Sequence, residues 1–295
     1  MFEQKYDVRK FPKYRLRDAF ILAFVLYAVL PNNLRAEVPA PIEIGVLPNI
    51  SARILLAQYE PMRKYLETTL ARKVQISTAP SWRAFHERTV EHHYDLIITA
   101  AHLGRLAQVD GEYQLLLSYQ PYIKGMILFA LDRPIDDISA LKGQTLVLSN
   151  AQSLITFRGM QWLGERGLYR GLNFKTINTP TDDSVGTVVV RGDAIAAMLS
   201  GGEYRAIPDA IKAKTRILTT FAEVPGFVIM ASPKYNAEEA QRFKNILLKF
   251  AASRDEGQAF FAATGFTSIV EPAAGLMESM DIYLSATRES LAERK

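Results

Sequence analysis

The stretch that decides the fold is YDLIITAAHLGRLA, residues 94–107. Its first part, YDLIIT, is a short apolar run typical of a buried strand, and the part that follows favours a helix. His102, one of only four histidines in the chain, stands where the strand would lead into the helix. A strand that runs directly into a helix predicts one unit of a parallel sheet.

Strands and helices alternate on both sides of this stretch. IEIGVL (42–47) and KVQIST (73–78) are strand patterns, and each is followed by apolar residues at helical spacing. TLVLSN (145–150), FKTIN (174–178) and GFVIMAS (226–232) continue the pattern downstream. The alternation predicts an α/β fold with mainly parallel sheets flanked by helices. The chain of 295 residues favours two lobes over a single sheet.

Two glycine-containing segments, 122–126 and 221–228, are where we expect the chain to cross between the lobes. Lobe 1 is then discontinuous and consists of residues 37–123 and 226–295. Lobe 2 consists of residues 124–225.

Two helical segments carry further expectations. Pro61 lies inside the first long helical pattern, so a kink or a break is predicted at Glu60. The tail that follows the strand GFVIMAS is predicted to be helical throughout.

The first 36 residues differ from the rest of the chain. A polar, basic stretch is followed by the apolar run AFILAFVLYAVL (19–30) and then by the small residue Ala36, which predicts a secretory signal cleaved near Ala36. An uncleaved anchor in the inner membrane is the alternative, although a spanning helix needs about 20 apolar residues. Residues 1–36 hold seven basic and three acidic residues, which is the net +4 of the whole chain. The remaining part is neutral and gives no reason to expect a nucleic-acid partner.

The chain contains no cysteine, which excludes disulfides, thiolate metal sites and a cysteine nucleophile. An exported protein without cysteine fits a bacterial periplasm. None of the patterns G-x-S-x-G, G-x-G-x-x-G or the phosphate-binding P-loop occurs, and no histidine spacing matches a metal site. We therefore expect no catalysis, no cofactor and no metal.

Five segments, taken in order, resemble the phosphate/phosphite/phosphonate-binding receptors of ABC importers. They are IEIGVLPNISARILLAQYEPMRKYLETTLARKVQI (42–76), YDLIITAAHLGRLA (94–107), ISALKGQTLVLSN (138–150), RGDAIAAML (191–199) and VPGFVIMAS (224–232). The resemblance implies a two-lobed type II periplasmic binding protein that closes by a hinge on a small, anionic ligand in the cleft between the lobes. The implied partner is an ABC permease, and we expect a monomer. The alternative is a sensory or adaptor protein on the same fold that presents a different ligand to a membrane sensor kinase.

Junctions between strands and helices are the expected ligand contacts, because free N–H groups at a helix start suit an anion. In open α/β sheets, ligands also bind beyond the carboxyl ends of the strands. Polar or aromatic candidates at these junctions are Asn49, Ser51, Ser81, Trp82, Thr99, His102, Ser149, Ser153 and Thr156. Each serine has an alternative role as a helix cap, Asn49 as a turn residue and Trp82 as a core aromatic. His102 either donates a hydrogen bond to an oxyanion and titrates with pH, or bonds only its own loop.

One place departs from the resemblance. Where the receptors have a Ser-His pair, this chain has Asp182 and Asp183, followed by Ser184. Two carboxylates facing a dianion would repel it. Either both point away as capping residues, or the ligand is neutral, monoanionic or zwitterionic. Asp183 and Ser184 complete the set of candidate site residues.

Overall fold

Two mixed β-sheets with flanking helices organise the chain in a computed structural model, which describes Met1 and residues 39–179 and 184–292. The predicted secretory signal, apart from Met1, and the acidic pair Asp182–Asp183 lie outside the described residues. Residues 41–295 belong to one compact unit.

The strands and helices follow one another in the predicted alternation. The strands are β1 (Ile42–Val46), β2 (Val74–Ser77), β3 (Leu96–Ala100), β4 (Gln114–Gln120), β5 (Ile123–Ala130), β6 (Thr145–Leu148), β7 (Lys175–Asn178), β8 (Ala196–Ser200), β9 (Thr215–Val224), β10 (Phe227–Ala231) and β11 (Ser268–Val270). The helices are α1 (Ala52–Leu70), α2 (Trp82–Val90), α3 (Ala101–Gly111), α4 (Leu154–Gly164), α5 (Val185–Arg191), α6 (Gly201–Ala206), α7 (Asp209–Lys212), α8 (Ala237–Ala251), α9 (Glu256–Thr264) and α10 (Leu284–Ala292). Short 3-10 helices cover Ile138–Leu141 and Glu278–Tyr283.

The first sheet has the order β11-β4-β10-β3-β1-β2. β1 pairs in parallel with β2 and β3, whereas β10 pairs antiparallel with β3 and β4, and β11 pairs antiparallel with β4. We call this sheet and its helices lobe 1. The opening stretch supplies its centre, because Leu96, Ile97 and Ile98 of β3 are at most 1% exposed.

The second sheet has the order β7-β6-β8-β5-β9, and with its helices we call it lobe 2. β6 pairs in parallel with β7 and β8, and β5 pairs antiparallel with β8 and β9. The expectation of mainly parallel sheets therefore needs correction, since each sheet combines a parallel trio with antiparallel strands. The chain leaves the first sheet after β4 and returns to it through β10, so these two neighbours run in opposite directions, as do β5 and β9 in the second sheet.

The chain passes between the sheets twice, at neighbouring places. β4 ends at Gln120 and β5 begins at Ile123, while β9 ends at Val224 and β10 begins at Phe227. Ile123 and Val224 pair with each other, so the two crossings lie side by side. The lobe boundaries stated above remain a prediction.

The structure tests two expectations about helices. The predicted break is wrong, because the helix α1 runs through Pro61, with Leu55, Tyr59, Met62 and Leu66 buried along one face, and the kink stays a prediction. Burial of that face offsets the hydrogen bond that proline cannot make. The expectation of a wholly helical tail is wrong, because β11 lies within it and completes one edge of the first sheet. Within the described residues, no helix combines the length and the apolarity needed to cross a bilayer.

Candidate functional site

The start of α3 is the centre of the candidate site. β3 ends at Ala100, which is held in the sheet opposite Phe227 of β10, and α3 begins at the next residue. Ala100 occupies the N-cap position, and no side chain caps the helix. The first-turn N–H groups of such a helix have no intrahelical partner and attract acceptors.

His102, the second residue of α3, reaches from lobe 1 to lobe 2. Its ring is 1% exposed, and its Nε2 lies 3.1 Å from the backbone oxygen of Gln152. A carbonyl oxygen only accepts, so Nε2 carries the hydrogen and donates it. The ring centroid lies 6.1 Å from that of Trp82 and 5.6 Å from that of Phe157. The alternative that His102 bonds only its own loop is wrong, because its partner Gln152 lies in a loop of lobe 2. Its contact with a ligand stays a prediction.

Burial sets the charge of His102. Removal from water lowers the pKa of the imidazole to about 4, against a smaller opposing effect of the hydrogen bond to Gln152. The ring is therefore neutral at physiological pH and does not titrate there, which corrects the expectation of a pH-responsive charge. With Nε2 protonated, Nδ1 is an acceptor, and it is buried without a hydrogen-bond partner among the described residues.

The loop that His102 meets is held by its own side chains. Asn150 Oδ1 accepts from the N–H of Gln152, and Ser153 Oγ caps α4 by accepting from the N–H of Thr156 at 3.1 Å. Thr156 Oγ1 donates to the backbone oxygen of Asn150 at 2.7 Å. Ser149 is buried at the end of β6. The helix-cap role that was the alternative for Ser153 is confirmed, and these hydrogen bonds hold the loop without a ligand.

The remaining lobe 1 candidates divide between caps and the neighbourhood of His102. Ser81 Oγ caps α2 by accepting from the N–H of Ala84. Trp82 is buried, and its indole N–H donates to the backbone oxygen of Pro48 at 3.2 Å. Asn49 is half-buried, and Ser51 is exposed without a side-chain capping bond. Trp82 lies beside the histidine.

Thr99 is placed differently from His102. Its side chain is fully buried and lies with Ile97, Phe85 and Leu103, in the layer between β3 and the helices α2 and α3. Its hydroxyl has no partner within the described part of the chain. Strand alternation explains this, since Thr99 and Ile97 share one face of β3.

Two candidates belong to the second half of the site. Ser184 is half-buried and occupies the N-cap position of α5 without a side-chain capping bond. Asp183 lies outside the described residues. Across residues 39–179 and 184–292, no group of three histidine or carboxylate side chains is placed to hold a metal ion.

Sequence reasoning missed two residues at the site and one helix-capping pair in lobe 2. Gln152 contributes a backbone oxygen, which no sequence pattern marks, and Phe157 resembles any core aromatic. Ser200 and Glu203 form a capping box at the end of β8, where each side chain accepts from the other residue's N–H. The spacing S-x-x-E could have indicated this pair.

The C-terminal helix also reaches the site. Gln152 Nε2 donates to the backbone oxygen of Ser290 at 2.8 Å, and Arg83 Nε donates to that of Leu291 at 2.6 Å. The rings of Phe157 and Tyr283 stack with centroids 6.5 Å apart and an interplanar angle of 17°. The tail therefore contacts α2 of lobe 1 and α4, with its preceding loop, of lobe 2.

The sequence matches the family model described as "ABC transporter, phosphonate, periplasmic substrate-binding protein" over residues 44–274. No curated protein matches significantly. Solved structures do match. XAC2383 from Xanthomonas citri bound to chloride ion is 19% identical with a TM-score of 0.72, covering 84% of this chain and 99% of that one. PhnD1 from Prochlorococcus marinus in complex with methylphosphonate is 12% identical with a TM-score of 0.69, covering 83% and 98%. The BvgS VFT2 domain from Bordetella pertussis is 13% identical with a TM-score of 0.51, covering 86% and 99%.

Two α/β lobes joined by paired crossings, with helix starts meeting between them, define a type II periplasmic binding protein. The family match extends over most of the chain. The chain belongs to the family of periplasmic substrate-binding proteins of phosphonate ABC transporters. The resemblance stated from five sequence segments is thereby confirmed, and so are the two-lobed fold and the role as an importer's binding protein.

Proposed function

We propose that this protein binds a small oxyanion of the phosphate, phosphite or phosphonate type at the facing starts of α3 and α4, and delivers it to a permease in the inner membrane. The observation that carries the proposal is the uncapped start of α3, with His102 buried against the loop that leads into α4. Residues 1–36 are proposed to direct export, and the exported protein is proposed to act as a monomer without catalysis.

The side chains and backbone around His102 favour a ligand of low charge. Trp82, Phe157 and the backbone of Gln152 are all neutral, and the imidazole is neutral as well. Binding would then depend on N–H dipoles rather than on cationic side chains. Release to a permease is easier for such a site, because no buried ion pair has to be broken.

A thermal-shift series with phosphate, phosphite, methylphosphonate and methanesulfonate tests the proposal. At a ligand concentration about 100 times Kd the free energy of unfolding rises by about 2.7 kcal/mol, which is about 5–10 °C in Tm for a chain of this size. Cleavage of added phosphonate or phosphate ester would instead indicate an enzyme. A series without any shift would contradict the proposed ligand class.

The partner that the protein retains distinguishes an importer's binding protein from a sensory binding protein. Detergent extracts can be passed over the immobilised protein with and without methylphosphonate. Retention of a permease complex supports import, whereas retention of a sensor kinase supports the alternative.

A further inference from the structure

The tautomer of His102 limits what its ligand can be. Nε2 is protonated because it donates to the carbonyl oxygen of Gln152. Nδ1 is left as an acceptor, in a side chain that is 1% exposed, with no donor from the described residues. Buried polar atoms are nearly always paired, so an orphaned acceptor indicates a partner other than the residues that the structure describes.

The orphaned acceptor and the uncapped N–H groups belong to the same turn of α3. Nδ1 is the ring nitrogen nearer the backbone, and His102 is in the first turn of α3, whose N–H groups have no side-chain cap. A ligand that accepts from these N–H groups is within reach of Nδ1 as well. To satisfy both, it needs an acceptor oxygen and a hydrogen-bond donor on neighbouring atoms.

We propose that the ligand carries its own hydrogen to the site, as a hydrogen phosphonate monoanion does, with one oxygen accepting from the start of α3 and its P–OH donating to His102 Nδ1. The inference rests on the proposed function and specifies its ligand as a protonated oxyacid, as distinct from a dianion or a sulfonate. The sequence interpretation gave His102 the role of donor to the ligand, and the geometry reverses it.

Methylphosphonate and methanesulfonate form the matched pair for the test. Below the second pKa of the phosphonate both carry one negative charge on a similar tetrahedral group, but only the phosphonate has an O–H. Isothermal titration at such a pH, kept above 5 so that His102 stays neutral, is expected to give at least about tenfold tighter binding of methylphosphonate.

Two variants examine the residue. His102→Phe keeps an aromatic ring without an acceptor and is expected to bring the ratio of the two affinities close to one. His102→Asn places an amide near the position of Nδ1 and is expected to restore part of the preference. Circular dichroism shows whether each variant is folded. If a variant is unfolded, the affinities of the two ligands for the unaltered protein test the inference.

The outcomes separate the two proposals. Equal or tighter binding of methanesulfonate overturns the inference and leaves the proposed function standing. Binding of neither anion overturns the inference, and it overturns the proposed function as well if phosphate and phosphite also fail to bind. A preference for methylphosphonate that persists in His102→Phe also overturns the inference.

A different observation carries a second inference, which does not depend on the ligand. The last carbonyls of a helix have no intrahelical partner. In α10, Leu291 O receives its hydrogen bond from Arg83 of lobe 1, whereas Ser290 O receives one from Gln152 of lobe 2. The end of one helix is thus capped from both lobes.

Gln152 is the residue on which these contacts converge. Its side-chain amide donates to α10, and its backbone oxygen accepts from His102 of lobe 1. The stacking of Tyr283 on Phe157 lies on the same side of lobe 2. We infer that Gln152 is a positioning residue that holds the two lobes together through the end of α10.

The distance between the lobes can be measured directly with labels on introduced cysteines, because the chain has no native cysteine. Spin labels on Lys64→Cys in lobe 1 and Leu172→Cys in lobe 2, both at exposed positions, give the distribution of distances between the lobes. Gln152→Ala, which keeps the backbone oxygen but removes the amide, is expected to shift the distribution to longer distances. Tyr283→Ala is expected to act in the same direction.

Gln58→Ala is the matched control. Gln58 Nε2 donates to the backbone oxygen of Ala263 at 2.9 Å, near the end of α9, so that the same bond is lost within lobe 1. The control is expected to leave the distribution unchanged. An unchanged distribution in both Gln152→Ala and Tyr283→Ala, or the same shift in Gln58→Ala, overturns the inference.

Discussion

Arg288 of α10 donates two hydrogen bonds of 2.7 and 2.6 Å to Asp110 of α3, one to each carboxylate oxygen. Asp110 is only 20% exposed, whereas Arg288 is about half exposed. A bidentate guanidinium–carboxylate pair is among the stronger kinds of ion pair at a protein surface. It ties the last helix to the helix that carries His102.

Arg288→Met is expected to lower the free energy of unfolding by about 1 kcal/mol, because the carboxylate loses both donors. The loss should shrink at high salt, where the pair is screened. Urea denaturation at low and high NaCl measures it. Lys64→Met, which removes a single longer contact of 3.8 Å with Glu60, is the control and should change stability little. Equal losses in the two variants would contradict this account.

Asp95 anchors the opposite end of β3. Its carboxylate is 3% exposed and accepts from the N–H of Glu43 at 2.7 Å, from the hydroxyl of Tyr235 and from the ammonium of Lys234. Asp95→Ala takes the acceptor from two donors at half-buried residues and is expected to cost about 2–4 kcal/mol.

Lys234→Ala serves as the comparison for Asp95, because the lysine side chain is about half exposed. It is expected to cost about 1 kcal/mol or less. Thermal and urea unfolding of both variants give the two values. A lysine variant as damaging as the aspartate variant would show that the ion pair, and not the buried hydrogen bonds, holds this end of the strand.

Gly45 is required by the ring of Tyr94. A Cβ at position 45 would lie 2.6–2.7 Å from the ring carbons, and that ring is itself stacked on Phe85. Gly45→Ala is expected to destabilise the protein by about 1–3 kcal/mol through overpacking. Gly164→Ala, with its nearest neighbour at 3.4 Å, is the control and should be close to neutral. Urea midpoints that fall equally in both variants would exclude the clash as the cause.

His102 makes stability depend on pH in a defined direction. Its pKa falls from 6.5 in the unfolded chain to about 4 in the folded protein, so the unfolded state binds the proton first. Its contribution is complete above about pH 6.5 and is lost as the pH falls to about 4, by up to about 3 kcal/mol. Burial lowers the pKa of His86 too, and its contribution is lost in the same direction.

A pH series of urea denaturation separates the two histidines. His102→Gln is expected to lose stability less steeply than the unaltered protein between pH 6.5 and about 4, since the contribution of His102 is absent and that of His86 remains. Parallel curves for the two proteins would show that His102 is not buried as described.

Much of the fold could be predicted from patterns of residues that are close together in the sequence. The apolar run of β3 and the helical spacing of α1 are properties of neighbouring residues, and both elements form as predicted. β11 was missed because it is a three-residue strand whose partner, β4, lies far away in the chain. Its stability comes from pairing and not from propensity.

Less of the site could be predicted from the sequence, because it too depends on residues that are far apart in the chain. His102 could be singled out because it follows a strand, but its acceptor is a backbone oxygen that any residue at position 152 would supply. Tyr283 and Ser290 reach the site through the packing of the C-terminal segment, which no residue spacing encodes. Thr99 was chosen for its position in sequence, and strand alternation turns it toward the helices.

β10 occupies the middle of the first sheet, between β3 and β4, although it is made long after both. The strands of lobe 2 all fall within residues 123–224, so the ribosome delivers them before residues 227–231. Until β10 arrives, the facing edges of β3 and β4 stay unpaired, and such edges invite association with other chains. Completion of the half that holds His102 is therefore the late step of synthesis, and the nascent chain is most open to chaperones in that interval.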